Sequence, residues 1–233
     1  MTRTGATSPG SRALSRPAPP PKTMSALLIL ASSIVGSAVY SGFELFFSAI
    51  GVRNGSHELA VFLGFFVAPL GALLLSGRRP ELGRLDRGFW AGAAAYLLFL
   101  PPIILVVPSN RAYFEAYRMG AGEAALWALL TLLQVSSVDF FTRRVVQLEV
   151  ERAWGPGRGL LAGFIAWCAG HVLEYGWLRA LMGPPGTLLY IGLAGVLTGI
   201  VYWRTKNALG LMAGHFILNL LAAVAAMALL GSG

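Results

Sequence analysis

Charged residues are scarce in this sequence. Of its 233 residues, Asp, Glu, Lys and Arg make up 12%, whereas hydrophobic residues make up 56%. A typical soluble domain carries about 25% charged residues, and the mean hydropathy here is +0.67. This composition excludes an ordinary soluble domain and indicates an integral membrane protein.

Cysteine is almost absent as well. The single cysteine, Cys168, lies in the middle of an apolar run, which excludes a disulfide framework and a metal site built on cysteine ligands. A lone cysteine in such a run is typical of a small, buried, apolar side chain.

Long apolar runs are what the sequence has instead. They lack the alternation of barrel strands, so helices are the remaining way to satisfy the backbone in lipid. We predict an all-α fold, a polytopic membrane helical bundle of about seven transmembrane helices within a range of six to eight, and we expect Pro101 and Pro102 to kink the third. The predicted spans are residues 24–50, 58–76, 88–108, 123–142, 160–181, 186–203 and 208–230.

The 18 basic residues are distributed unevenly between the predicted loops. With the N-terminus inside, 14 of them fall on the cytoplasmic side, as the positive-inside rule expects. The net charge of +8 is therefore a topology signal, and we predict no nucleic-acid partner. Residues 1–23, rich in Pro, Ser, Thr and Arg, are predicted to be a disordered cytoplasmic tail, followed by one membrane domain over 24–233.

Polar residues inside the late spans form three pairs. Each such residue is costly in lipid unless it faces protein or water, and members three or four residues apart share one helical face. We predict that the three faces line one cavity open to the cytoplasm. The pairs are Asp139 with Arg143, His171 with Glu174, and His215 with Asn219. Two G-x-x-x-G patterns, Gly195 with Gly199 and Gly210 with Gly214, predict close packing of spans six and seven around that cavity.

The order of these residues resembles a known family. Val138 to Arg143 corresponds to its motif E-E-x-x-x-R, Trp167 to His171 corresponds to F-x-x-x-H, and His215 to Asn219 matches H-x-x-x-N in full. The chain is therefore similar to the CAAX protease and bacteriocin-processing family of intramembrane proteases, also called the type II CAAX prenyl endopeptidase or Abi family. The resemblance places a family-like core at about residues 123–230.

The resemblance implies a glutamic-type protease, formerly described as a metallo-type. In the family, a glutamate of the first motif and the histidine of the second position and deprotonate a water, while the third motif stabilises the oxyanion. By this correspondence His171 orients the water, His215 and Asn219 hold the oxyanion, and Arg143 braces the acid in an internal ion pair with Asp139. The departure lies in the first motif, where Val138 and Asp139 stand in place of two glutamates.

Several interpretations of that departure stay open. Asp139 serves as the base with altered geometry, Glu174 supplies the carboxylate from another helix, or the chain is a catalytically inactive homologue that binds membrane segments without cutting them. A divalent metal is possible but not favoured, because neither an H-E-x-x-H motif nor a cysteine ligand is present, and no cofactor is predicted. A transporter is a further alternative, although only Pro101 and Pro102 suggest a broken helix.

Substrate and location are predicted only in class. We expect a membrane-anchored protein or peptide as substrate and the lipid bilayer as surroundings. The sequence does not indicate the oligomeric state. The excess of arginine over lysine favours a bacterial cytoplasmic membrane and disfavours farnesylated substrates. Outside the motifs, Glu44 is predicted to pair with Arg53 or to face a cavity, and His57 is predicted to lie in a solvated external loop.

Overall fold

The computed structural model describes residues 22–51, 55–106, 121–172 and 175–231. These residues form seven helices and contain no strand, so the predicted all-α fold is confirmed. The helices are α1 (Lys22–Ala49), α2 (Ser56–Phe62, Leu63–Val67 and Ala68–Leu75), α3 (Arg87–Leu97 and Leu100–Val106), α4 (Ala121–Asp139, Phe140–Gln147 and Leu148–Trp154), α5 (Pro156–Val172), α6 (Tyr175–Thr205) and α7 (Ala208–Gly231). The middle pieces of α2 and α4 are π-helical.

Six of these helices are long and apolar enough to cross a bilayer, and the protein is a multi-pass membrane protein. α5 is described over 17 residues, Pro156–Val172, and the two residues after it lie outside the described residues. The predicted tail over 1–23 lies almost wholly outside the described residues, as does Arg53. The division into a tail and one membrane domain therefore stays a prediction.

The α2–α3 loop, the end of α4 and the α6–α7 turn meet at one end of the bundle, which we call the basic end. Arg152 at the end of α4 donates to Glu81 in the loop at 2.9 Å. Lys206 in the α6–α7 turn donates to Glu151 at 2.6 Å. Salt bridges between partly exposed groups contribute little individually, but these two show which segments lie together.

Glu149 is the buried centre of the basic end. Its carboxylate pairs with Arg78, with Arg144 at 3.2 Å and with Arg152 at 3.1 Å, and it accepts a hydrogen bond from Ser25 near the start of α1 at 3.2 Å. Burial, and to a smaller extent the neighbouring Arg152, lower the pKa of Arg78. A buried carboxylate requires such partners, because an unpaired charge there is strongly destabilising.

The helices alternate in direction from this end. α1, α3, α5 and α7 begin at the basic end, whereas α2, α4 and α6 end there. α5 therefore runs away from the basic end. The basic segments that the sequence assigns to one side do share one end of the molecule, and which face of the membrane that end occupies stays a prediction.

Glycines allow close contacts between helices. A Cβ at Gly210 would lie 2.3 Å from the carbonyl oxygen of Phe89, and one at Gly214 would lie 2.6 Å from Ala93. The second G-x-x-x-G pattern therefore packs α7 against α3, where a side chain would separate the backbones. That the two patterns let spans six and seven pack closely around one shared cavity stays a prediction.

Two helix breaks lie beside prolines, one within the predicted third span and one between the predicted fifth and sixth spans. α3 is interrupted at Leu98 and Phe99, just before Pro101 and Pro102, which have no N–H to continue the ladder. The predicted span 160–181 covers most of α5 and the first residues of α6, and residues 173–174 between them lie outside the described residues, so its end stays a prediction. α6 is itself kinked at Gly183, whose φ of +69° favours glycine, immediately before two prolines.

Candidate functional site

Asp139 lies where α4 changes from α-helical to π-helical geometry. Its side chain is fully buried. One carboxylate oxygen accepts a hydrogen bond from the Tyr96 hydroxyl of α3 at 2.7 Å, and the other lies 3.1 Å from Nδ1 of His215 on α7. A π-helical turn widens the helix and is frequent at functional sites. Three helices therefore meet through one acid.

His215 is held in a defined orientation by this acid. A carboxylate can only accept hydrogen bonds, so we assign the Nδ1 proton of His215 to the bond with Asp139. In neutral imidazole the lone pair is then on Nε2. The His215 ring also stacks on Tyr96, with centroids 4.4 Å apart and planes 11° apart. Tyr96 thus contacts both members of the acid–histidine pair.

Trp167 joins the second motif to the third. Its ring centroid lies 4.1 Å from that of His171 and 5.6 Å from that of His215. Its backbone carbonyl lies 2.8 Å from His171 Nδ1, and because a carbonyl only accepts, that nitrogen carries the proton. The two histidines therefore flank one indole, and each uses Nδ1 to fix its orientation.

Arg143 does not brace Asp139. Within the described residues no salt bridge joins the two, and the guanidinium instead donates to the carbonyl of Gly195 at 3.0 Å and to the Thr198 hydroxyl at 2.7 Å. It also lies over the Trp167 ring, 5.3 Å from its centroid. The predicted Asp139–Arg143 salt bridge is therefore wrong, because the guanidinium bonds to α6 and Asp139 bonds to His215.

Three side chains bind a line of carbonyls on α6. Trp167 Nε1 donates to Ile191 at 3.2 Å, Arg143 donates to Gly195, and Gln147 Nε2 donates to Gly199 at 2.8 Å. These carbonyls are four residues apart and lie on one helix face. A Cβ at Gly195 would lie 2.6 Å from the Trp167 ring, so the first G-x-x-x-G pattern makes room for side chains.

Asn219 and Glu174 are the two remaining predicted site residues. Asn219 lies one turn beyond His215 on α7 and is half-buried, so the two share a helix face as predicted. Glu174 lies outside the described residues. The proposal that it replaces the motif acid is therefore open.

Val138, at the position of the family's first glutamate, faces a cavity that is separate from the histidine cluster. Val138 lines a cavity of about 520 Å³ between α1, α2, α4 and α5, together with Thr142 on the next turn. Asp139, one residue later, points to Tyr96 and His215 instead. One residue is a rotation of about 100° on a helix. Asp139 therefore does not occupy the place that the family's first glutamate would take.

Metal ligands are not gathered at this site. Across residues 22–51, 55–106, 121–172 and 175–231, no three His, Cys, Asp or Glu side chains form a group that could hold an ion. Asp139 and His215 are bonded to each other, which uses one donor atom of each.

The family comparison agrees with these motifs. Residues 120–221 match the model of a family described as type II CAAX prenyl endopeptidase Rce1-like. This segment is similar to that family. The match lies close to the predicted core of 123–230 and contains the positions of all three motifs, with Val138 and Asp139 in place of the two glutamates. No curated protein and no solved structure was found to match the chain.

Several residues of the site were not predicted from sequence. Tyr96, Gln147 and Thr198 lie outside the CAAX endopeptidase motifs, and Trp167 was noted only as a motif position. One signal was present for Tyr96, because a phenol hydroxyl within an apolar span usually finds a hydrogen-bond partner. The bonds of Gln147 and Thr198 depend on how α4 and α6 meet.

Proposed function

We propose that the protein is an intramembrane endopeptidase that hydrolyses a peptide bond in a membrane-anchored protein or peptide. The observation that carries this proposal is the hydrogen bond between Asp139 and His215, within a segment that matches the CAAX endopeptidase family. A buried carboxylate that orients an imidazole is a recurrent way to make that imidazole a general base.

The proposed chemistry gives His215 the role of base. Its Nε2 takes a proton from a water molecule, the water oxygen attacks the peptide carbonyl carbon, and the C–N bond breaks as the same proton passes to the leaving amine. Asp139 positions the imidazole and stabilises its protonated form. His171 is proposed to orient the water, and Asn219 to donate to the developing oxyanion.

A second candidate function is supported by Val138. This residue lines the apolar cavity and stands at the position of the family's first glutamate. Asp139 is hydrogen-bonded to Tyr96 and His215. On this reading the chain is a non-catalytic homologue that binds membrane segments. Turnover of a peptide substrate distinguishes the peptidase from the binding protein. Loss of turnover on addition of a chelator would instead indicate a metal enzyme.

The test is cleavage of a quenched transmembrane-peptide library by protein in detergent. We expect His215→Ala and Asp139→Asn each to lower turnover at least about 100-fold, the lower range for loss of a general base, and His171→Ala to impair turnover as well. Glu123→Gln is the matched control, because it removes a carboxylate from the exposed start of the same helix. Addition of a chelator should leave turnover unchanged.

Val138→Glu separates the two candidate functions. If the wild type does not cleave but Val138→Glu does, the chain is an inactive homologue whose missing acid has been restored. If the wild type cleaves and loses activity with Asp139→Asn, the acid–histidine pair is the working base. Turnover that survives both His215→Ala and Asp139→Asn would contradict the proposed mechanism.

A further inference from the structure

The cavity lined by Val138 is a second space beside the histidine cluster. Asp139, His171 and His215 are not among the residues that line it, although Val138 and Gly170 are their chain neighbours. Along α1 the lining extends from Ile29 to Ser37, which is about 12 Å at 1.5 Å per residue. Its volume of about 520 Å³ is within the range of small-molecule sites.

The polarity of the lining changes along the cavity. Near the basic end it is formed by apolar side chains such as Ile29, Val146 and Ala162. At the opposite end it includes His57, Ser37 and Gln134. A cavity that is apolar along its length and polar at one end matches a molecule with an alkyl chain and a polar head.

His57 belongs to a polar cluster at that end. Its Nδ1 lies 3.2 Å from the Tyr40 hydroxyl and 3.2 Å from a Glu44 carboxylate oxygen. The His57 and Glu44 side chains are 38% and 34% exposed, so a ligand can reach them. Glu44 therefore pairs with His57, which is partly exposed but lies in the first turn of α2 rather than in the predicted loop.

The cluster favours one kind of head. A carboxylate only accepts hydrogen bonds, so the bond between Glu44 and His57 assigns the proton to Nδ1 and leaves the lone pair of neutral His57 on Nε2. Both groups can then accept further hydrogen bonds. A hydroxyl or ammonium head provides donors, whereas a carboxylate head would face the negative charge of Glu44.

We propose that this cavity binds a single-chain amphiphile, with its alkyl chain along α1, α4 and α5 and a hydrogen-bond-donating head at His57, whose bonded partner Glu44 lies just outside the lining. The polar head lies at the end of the bundle opposite the basic end. Binding there does not require hydrolysis, so this proposal and the proposed peptidase activity can fail separately.

The test is photolabelling of the protein in nanodiscs with diazirine-bearing dodecanol, dodecylamine and dodecanoate, followed by mass spectrometry of the labelled peptides. We expect dodecanol and dodecylamine to label cavity-lining segments of α2, α4 and α5, in competition with the unlabelled compounds. Ala166→Phe, which fills the cavity, should lower this labelling about ten-fold or more, a difference of about 1.4 kcal/mol. His57→Leu should lower labelling by the two donors but not by dodecanoate.

The matched control is Ala125→Phe, because Ala125 is exposed and lies on α4 away from the cavity. Equal labelling of Ala166→Phe and Ala125→Phe would show that the probes report only general lipid contact, and this would overturn the proposal. Stronger labelling by dodecanoate than by both donors would overturn the head assignment. If Ala166→Phe does not fold, Ser33→Leu fills the same cavity from α1 and provides the same comparison.

Discussion

At the residue scale, Tyr96 is the unpredicted member of the candidate site. Its hydroxyl donates to Asp139 and its ring stacks on His215, so it links the acid to the base that we propose. Removing a hydroxyl leaves a buried carboxylate with one partner fewer, which typically costs about 1–3 kcal/mol. Tyr96 is therefore a positioning residue in this mechanism.

Tyr96→Phe should lower kcat about ten-fold or more with little change in KM, since about 1.4 kcal/mol of lost transition-state stabilisation corresponds to a factor of ten. Tyr202→Phe is the control. Tyr202 is equally buried, but its hydroxyl has no hydrogen-bond partner within the described residues, so losing it should be neutral or slightly stabilising. Equal effects of the two variants on turnover would contradict a role for the Tyr96 hydroxyl.

Trp167 makes a second prediction at this scale. The family motif has phenylalanine here, and only tryptophan can donate to Ile191 on α6. Trp167→Phe keeps a ring beside both histidines but loses that bond, so we expect a loss of about 1 kcal/mol in unfolding free energy and a lower thermal midpoint. Trp90→Phe, at a side chain that is 69% exposed, should leave the midpoint unchanged. A Trp167→Phe midpoint equal to the wild type would contradict the anchoring role.

At the element scale, the sequence predicts helices better than their ends. The starts of α1, α2, α3 and α7 agree with the predicted spans to within a few residues, because each follows a clear change from polar to apolar residues. α4 continues to Trp154 instead of ending at 142. Arg143, Arg144 and Glu149 resemble the charged end of a span, but they are fully buried. Each also bonds to a residue far away in the sequence, on α6, in the α2–α3 loop or on α1, so local composition cannot show this burial.

The contact between α3 and α7 makes a prediction for Gly210. Gly210→Ala would place its Cβ against the carbonyl of Phe89, so the helices must separate, and His215 must move relative to Tyr96. Overpacking of this kind costs about 1–3 kcal/mol. We expect lower stability in thermal unfolding and lower turnover.

Gly192→Ala is the matched control for that change. Gly192 lies within α6, and a Cβ there meets nothing within 4 Å. Alanine in a helix interior is favoured over glycine by about 0.5–1 kcal/mol, so this variant should be neutral or stabilised. Loss of stability in Gly192→Ala and not in Gly210→Ala would contradict the close-packing account.

At the scale of the whole molecule, the motif order predicted which helices supply the site, but not how its members are bonded. The histidines of α5 and α7 do meet around Trp167, as their shared helical faces suggested. The partner of Asp139 turned out to be His215 rather than Arg143, because the choice depends on the rotation of α4 at its π-helical turn. Spacing along one helix shows which residues share a face, and the neighbouring helices decide what that face contacts.

The orientation of the bundle in the membrane can be tested by cysteine labelling. The basic end gathers arginines from three segments, and the positive-inside rule then places it in the cytoplasm with the N-terminus. In a Cys168→Ala background, Leu85→Cys reports on the basic end and Ile50→Cys on the opposite end, since both side chains are exposed. A membrane-impermeant maleimide should label Ile50→Cys on intact bacterial cells and Leu85→Cys only after permeabilisation. The reverse pattern would place the basic end outside, and the proposed peptidase site would then open towards the other side of the membrane.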